Sequence, residues 1–342
     1  MDRNLKINKL YDIPLMIMMC GLPGSGKSTF ADGITIQSDK QECKPIIHSS
    51  DSLRKELYGD ESTQGDNNKL FTELHRRIKA DLSNGKDVIY DATSLKKKNR
   101  IQFLQELKNI PCTPICILMA TEYEACLCNN EHRERKVPIE VIKRMQMNFE
   151  PPAMNEGFSN IAYVFSYLDE NHNIVDTCSS DKYKLDTFFK KANSFNQENK
   201  HHRLTLGEHC AQTGSYIQNE KPDNFWLMIA ALLHDNGKLY TKTRVNSKGV
   251  DDGNCHYFQH HCVGSYIAMF YVLEIFEIMK TDKSIEFVEN PIEYVTNLIF
   301  YHMHPYMQWK QSARVYKRDR EMLGEEMYND IMLLHEADVA AH

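Results

Sequence analysis

Two sets of residues in this chain have the types and spacing to handle phosphate. The first is M-I-M-M-C-G-L-P-G-S-G-K-S-T at 16–29, where Gly21, Gly26, Lys27 and Ser28 fit G-x-x-x-x-G-K-S/T, the phosphate-binding loop. Gly21, Gly24 and Gly26 let backbone N–H groups wrap a polyphosphate without Cβ clashes. Ser25 and Thr29 belong to the same cradle, and the helix that follows aims its positive N-terminal end at the anion. Lys27 supplies a point charge to the β and γ phosphates, and Ser28 offers a hydroxyl to Mg²⁺. The ligand expected here is ATP or GTP with Mg²⁺.

The second set lies in a histidine-rich tail: eleven of the fifteen histidines fall between 201 and 342. His209, His234, Asp235, His256, His260, His261, His302, His304 and Asp338 offer imidazoles and carboxylates without a thiolate. That donor set suits Mn²⁺, Fe, Co²⁺, Ni²⁺, Zn²⁺ or Mg²⁺. Such an ion makes hydroxide from bound water near neutral pH and polarises a phosphoryl oxygen. His234 and Asp235 follow an apolar helix in A-A-L-L-H-D-N-G-K, where a buried charged pair needs a reason. Adjacent residues in mid-helix point about 100° apart. Gly237 is expected to end that helix, and at a helix end both side chains can turn toward one ion. His201, His202, His304, His335 and His342 read as surface or satisfied core histidines.

Between the two sets, S-S-D-S-L-R (49–54) and D-A-T-S (91–94) each follow an apolar run. Asp51 is placed to take a proton from an acceptor hydroxyl, and equally to cap the helix that follows. Arg54 could hold an acceptor phosphate, and Asp91 could orient the acceptor or the metal. Lys96-Lys97-Lys98 reads as a solvated helix face. In C-N-N-E-H-R-E-R-K-V-P (128–138), Arg133 and Arg135 precede a helix opened by Pro138. An arginine there can swing over a γ-phosphate and neutralise transition-state charge, or simply be a solvated helix end.

The elements that must position these residues alternate in the front half. Apolar runs at 15–20, 45–48, 88–90, 115–120 and 161–168 read as strands, and 27–37, 69–84, 96–108, 122–130 and 139–149 as helices. This predicts an α/β domain over 1–180, a parallel sheet with helices on both faces that binds ligands beyond its C-terminal strand ends. The polar stretch 181–202 reads as a linker. From 203 to 342 the spacing predicts an all-α domain, with helices near 206–218, 224–235, 261–280, 292–301 and 321–340.

The 342-residue length suits two domains. Net charge is −6, which argues against non-specific coating of nucleic acid but leaves room for a local basic groove. The ten cysteines include no C-x-x-C pair, the opening M-D-R-N is not a signal peptide, and the apolar run 15–20 is too short to span a bilayer. A reduced cytoplasmic protein is the expectation.

The loop, S-S-D-S-L-R, D-A-T-S and R-E-R-K-V-P-I-E-V-I-K-R-M-Q-M-N-F-E-P-P together resemble the 5′-polynucleotide kinase branch of the P-loop kinases, over about 12–180. The resemblance implies that Lys27 binds ATP phosphates, Asp51 is the general base toward a 5′-hydroxyl, Arg54 grips the acceptor strand's phosphate, and Arg135 is the lid arginine. The family's second lid arginine falls on His132, and Arg133 is the nearest replacement. T-L-G-E-H, H-D-N-G-K, H-Y-F-Q-H-H and H-E-A-D likewise resemble the HD phosphohydrolase superfamily over 203–342. That implies metal ligation by His209, His234, Asp235 and Asp338, a second ion or a substrate phosphate at His256, His260 or His261 and His302, and phosphate binding by Lys238.

Together these imply a bifunctional end-healing enzyme that phosphorylates 5′-OH ends with ATP and removes 2′,3′-cyclic, 2′- or 3′-phosphate with a metal. RNA is the expected substrate, with DNA left open, and an RNA ligase is the expected functional partner. The rivals are a small-molecule or nucleoside kinase fused to a nucleotidase, and a kinase regulated by a non-catalytic HD sensor.

Overall fold

The computed structural model describes residues 5–9, 12–38, 42–60, 63, 65–178, 180–198, 203–279 and 290–341. The chain forms two compact units, Met1–Lys143 with Pro152–Thr177, and Arg144–Pro151 with Cys178–His342.

The strands of the first unit are β1 (Leu5–Asn8), β2 (Leu15–Cys20), β3 (Ile34–Gln37), β4 (Glu42–Cys43), β5 (Ile46–Ser49), β6 (Val88–Asp91), β7 (Thr113–Thr121), β8 (Asn160–Leu168) and β9 (Ile174–Val175). Every residue of β2 is buried, as a central strand covered on both faces requires. The main sheet runs β5-β6-β2-β7-β8-β9. It is parallel except for β9, which adds an antiparallel edge beside β8. The chain fills one side of β2 with β5 and β6, then crosses to the other with β7. The C-terminal end of β2 is therefore a topological switch point, where a ligand crevice opens.

The helix expected over 27–37 is shorter. Helix α1 (Lys27–Asp32) stops at Gly33, and β3 follows. Ile34-Thr35-Ile36 is β-branched and alternates buried with half-buried, so it suits a pleated surface better than a helix. Strand β3 pairs with β1 and β4 in a small second sheet that the sequence reading did not foresee. The remaining helices that begin in this half are α2 (Ser50–Tyr58), α3 (Asn67–Ser83), α4 (Lys97–Glu106), α5 (Tyr123–Glu131) and α6 (Ile139–Gln146). Leu70, Leu74, Ile78 and Leu82 form the buried stripe of α3.

The second unit is helical: α7 (Leu185–Asn193), α8 (Leu206–Glu220), α9 (Phe225–Leu233), α10 (Lys238–Thr241), α11 (His260–Met279), α12 (Pro291–Tyr301) and α13 (Ala313–Ala340). It is not purely so, because β10 (Thr243–Val245) and β11 (Asp251–His256) form an antiparallel ribbon. Nor is 181–202 a free linker. Its helix α7 buries Phe188 and Ala192 within the unit, and Asn196 bridges to Thr205. Thr205 and Glu208 form a capping box that fixes the start of α8. The apolar α9 is buried along most of its length. Helix α11 has the length and hydropathy of a membrane span, yet 72% of that window is buried inside the protein, so it reads as a core helix. Helix α13 starts earlier than the expected 321–340 and breaks at Gly324 (φ 77°, ψ 165°), which makes 325–340 a separate helical segment.

Candidate functional site

At the end of β2 the chain turns through Gly24 with φ 79°, and a Cβ there would lie 2.2 Å from the backbone oxygen of Cys126. Both the positive φ and the close approach call for glycine. Four of the loop's carbonyls meet side-chain donors. Lys27 Nζ donates to the carbonyls of Gly21 (3.0 Å) and Leu22 (2.8 Å). Asn129 Nδ2 donates to that of Gly24 (2.8 Å) and Thr121 Oγ1 to that of Ser25 (3.0 Å). A trans peptide points its C=O and the following N–H in opposite directions. Pinning the Ser25 carbonyl on Thr121 therefore turns the Gly26 N–H the other way, toward the side where α1 begins with its unpaired N–H groups. Burial pushes the Lys27 ammonium below its ordinary value, and the Asp91 carboxylate pushes back.

Ser28 Oγ donates to Asp91 Oδ2 at 2.8 Å, and Asp91 is buried at the end of β6. A hydroxyl and a carboxylate side by side are the oxygen ligands Mg²⁺ takes at a nucleotide. Asp91, expected among the substrate-binding residues, thus sits beside Ser28, the hydroxyl expected to meet Mg²⁺.

Asp51 lies in the first turn of α2, but Ser49 is the residue whose side chain caps that helix, so the Asp51 carboxylate is not spent on capping. It faces the arginine segment instead: Arg135 Nη1 is 3.0 Å from Oδ1 and Arg133 Nη2 is 4.0 Å from Oδ2. Arg54 donates to the Thr63 carbonyl (3.2 Å) and to Asn67 Oδ1 (3.0 Å). His132 turns back to the Cys128 carbonyl at the end of α5. The Lys96–Lys98 face is not simply solvated, because Lys97 is buried. Arg100 is buried too, in a two-pronged pair with Glu156, both contacts at 2.7 Å. The basic run at 96–100 gave no sign of this, since the partner lies 56 residues away.

In the second unit, six side chains converge. His209 Nε2 lies 3.0 Å from Asp338 Oδ1 and 3.4 Å from Asp235 Oδ2. His234 Nε2 lies 3.4 Å from Asp235 Oδ2 and 3.5 Å from Asp338 Oδ1. The other Asp235 oxygen faces His260 Nε2 (3.2 Å) and His302 Nε2 (3.8 Å). Two triads, His209–His234–Asp235 and Asp235–His260–His302, therefore share Asp235. All six residues are buried. His234 and Asp235 occupy the turn after α9, and Gly237 lets that turn meet the start of α11, since a Cβ there would lie 2.0 Å from the His260 carbonyl. Gly237 is in the right-handed region, so this close approach, not a left-handed helix cap, explains it.

The tautomers follow from the outer contacts. Nδ1 of His209, His234, His260 and His302 each meets a backbone carbonyl, of Ala341 (3.3 Å), Ala231 (2.8 Å), Tyr257 (2.8 Å) and Ile299 (2.6 Å). A carbonyl only accepts, so each Nδ1 carries a proton and each Nε2 is the ring atom turned inward. The Nε2 atoms face one another across 3.2 Å (His209 and His234) and 3.3 Å (His260 and His302), beside two carboxylates. Burial would lower His209 and His234, but Asp235 and Asp338 raise both, His234 to about 10. Those two Nε2 atoms are therefore places where a proton and a divalent metal compete.

Burial, with the neighbouring imidazoles of His234 and His260, pushes His302 down to about 3. Burial likewise lowers His260 despite Asp235. Burial would raise the Asp235 carboxyl, but Lys238 and the two nearest histidines hold it well below the carboxylate range. Lys238 Nζ is 2.6 Å from Asp235 Oδ2 and 2.9 Å from Gln197 Oε1.

His256 does not join. It pairs with Asp252 (3.0 Å) and stacks on Phe258, because it ends β11 of the ribbon while His260 opens α11. His261 packs among Phe300, His302 and His304, and His304 is buried rather than exposed. His201, His202 and His342 lie outside the described residues.

Comparison with known proteins bears on the front half. The AAA domain family matches residues 16–152. The chain is 30% identical over 144 residues to the L-seryl-tRNA(Sec) kinase of Methanococcus maripaludis, covering 40% of this chain and 53% of that protein. It is 29% identical over 175 residues to Protein KTI12 of Saccharomyces cerevisiae, covering 47% of this chain and 53% of that protein. The chain thus spans about half the length of these curated relatives. Among solved structures, a gluconokinase from Sinorhizobium meliloti 1021 aligns with 18% identity and a TM-score of 0.31 over 45% of this chain and 83% of that one. The front unit carries a P-loop α/β domain, similar in sequence to part of a kinase. In this domain the residues that sequence reasoning missed are Thr121 and Asn129, which hold two of the loop's carbonyls, and the buried Arg100–Glu156 pair. Asn129 stood within the charged segment already singled out at 128–138, but nothing local distinguishes an asparagine that reaches a glycine 105 residues earlier. In the second unit Gln197 was missed, having been read as linker.

Proposed function

We propose that this protein heals nucleic-acid ends with two separate sites, a kinase site at the phosphate loop and a metal-dependent phosphohydrolase site at the histidine nest. The observation that carries the reading is the set of four inward-facing Nε2 atoms gathered around Asp235 and Asp338 in a chain that also bears a kinase-type loop. In the kinase site Lys27 and the α1 N-terminus hold the donor phosphates, and Ser28 with Asp91 holds the Mg²⁺. Asp51 accepts the proton of the attacking hydroxyl, and Arg135 neutralises charge on the transferred group. The ion pair seen between Arg135 and Asp51 implies an order: the guanidinium moves to the donor phosphates before the carboxylate works as a base. In the second site His209, His234, Asp235 and Asp338 would hold one divalent ion, and Asp235, His260 and His302 a second. Such an ion supplies an activated water and an electrophilic grip on phosphate. Lys238 balances the charge of Asp235 and faces Gln197, and the ordered Nδ1 contacts keep every ligand's lone pair inward.

The 5′-hydroxyl of a cleaved RNA is the acceptor we favour, from the S-S-D-S-L-R and lid motifs. A second reading, a hydroxyl carried on an aminoacylated tRNA, is favoured by the likeness to the L-seryl-tRNA(Sec) kinase, and by Arg54 being held by Thr63 and Asn67. End analysis decides. A cleaved RNA bearing a 5′-OH and a 2′,3′-cyclic phosphate is incubated with the full chain, ATP, and Mg²⁺ or Mn²⁺. The expected products carry 5′-phosphate and a freed 3′ end. Asp51→Ala should abolish only the first change and Asp235→Ala only the second. Loss of both activities in each variant would end the two-site reading.

A further inference from the structure

The arginine segment and the phosphate loop meet at two consecutive asparagines. Asn130 is buried and joins the two ends of the segment: its Nδ2 donates to the Val137 carbonyl (2.8 Å) and its Oδ1 accepts from the Val137 N–H (2.9 Å). A primary amide is the one neutral side chain that pairs with both polar atoms of a single residue in this way. It closes residues 131–136 into a loop of fixed span, with Arg133 and Arg135 on it. The preceding Asn129 reaches the other way, to the Gly24 carbonyl at 2.8 Å. Helix α5, which carries both, lies so close to the loop that Gly24 has no room for a Cβ against Cys126.

From this we infer that Asn129 and Asn130 are positioning residues for phosphoryl transfer: Asn129 fixes the donor cradle, Asn130 fixes the arginine loop, and their adjacency on α5 sets the distance between the two. The inference rests on the kinase half of the reading above. Neither asparagine touches substrate. Asn129 acts through the peptide planes around Gly24 and therefore on ATP binding. Asn130 acts through Arg135 and therefore on turnover.

The test is a double-variant cycle on the full chain, with ATP and a 5′-OH RNA oligonucleotide, plus ATP affinity by calorimetry and a thermal melt. Asn130→Ala should lower kcat roughly 10- to 100-fold while KM for ATP moves less than about twofold. In an Arg135→Ala background the same substitution should cost less than about twofold, because the group it serves is already gone. A merely structural role would give the same loss in both backgrounds and would overturn the inference, as would no loss in the first. Val137→Pro keeps the Asn130 side chain but removes the N–H from which its Oδ1 accepts, and should show the same dependence on Arg135 if Asn130→Ala does not fold. Asn129→Ala should weaken ATP binding about tenfold, and unchanged affinity would refute its part. Absence of transfer by the unaltered protein counts against the kinase reading alone; the inference then stands or falls on the ATP affinity of Asn129→Ala.

Discussion

In the front unit the groups that face an anion are consecutive, Gly21 to Ser28, and most of their polar atoms are backbone. In the back unit the groups proposed to face a cation run from His209 to Asp338, and all are side chains. The first site is half made by secondary structure itself, because a strand end and a helix start leave N–H groups without partners. The second exists only once α8, the turn after α9, α11, the end of α12 and α13 have packed. A site built from backbone depends on glycines and on carbonyl partners. A site built from side chains depends on tautomers and on charge balance.

That contrast predicts where each breaks. The largest effect is expected for Asp235→Ala, which removes the carboxylate shared by both triads and leaves the buried Lys238 ammonium without its 2.6 Å partner. Bound metal should be lost in elemental analysis and phosphate removal abolished. Breaking such a buried pair costs about 3–5 kcal/mol, so the second unit's melting should fall while 5′ phosphorylation persists. Next is Asp51→Asn, which removes the proposed base. Transfer should drop roughly 10²- to 10⁴-fold, yet ATP should bind as tightly or more tightly, because Arg135 is released from its ion pair. Weaker ATP binding would show that Arg135 does not serve the donor. Third, Gly24→Ala, with its Cβ against Cys126 and its φ in the left-handed region, should weaken ATP binding without altering metal content. Smallest is His256→Ala: metal content and phosphate removal should stay within error of the unaltered protein, since that imidazole pairs with Asp252 outside the nest. A loss of metal there would erase the distinction drawn between His256 and His260.

The same contrast explains what was legible in the sequence. The loop could be read because eight neighbouring residues carry both its pattern and its chemistry, and five parallel strands followed from apolar runs. The nest could be read only as residue types. Choosing between His256 and His260 needs the ribbon β10–β11, whose short, polar strands carry no alternation to find. Strands β3 and β9 are short as well, and β3 hid behind a helix because Phe30, Ala31 and Ile34 also fit a helical spacing. Lys97 looked solvated, and nothing local marked Arg100, because a charged residue's burial is set by its distant surroundings, here Glu156 for Arg100. The stretch 181–202 looked like a linker because its polarity is real on the exposed side of α7, while Phe188, Ala192 and Gln197 are buried.

The second unit is assembled from two pieces of chain, Arg144–Pro151 and everything from Cys178 onward. Phe149, in the first piece, sets its ring edge-on to Tyr266 of α11, 5.0 Å between centroids. No single scissile point therefore yields two whole halves. A fragment starting near 203 would lack α7, the Gln197 amide beside Lys238, and the Phe149 ring, and one starting at 178 would still lack Phe149. Dissecting the two activities is a task for point substitutions, and a protease that nicks the chain near 200 should leave fragments that stay together until denatured.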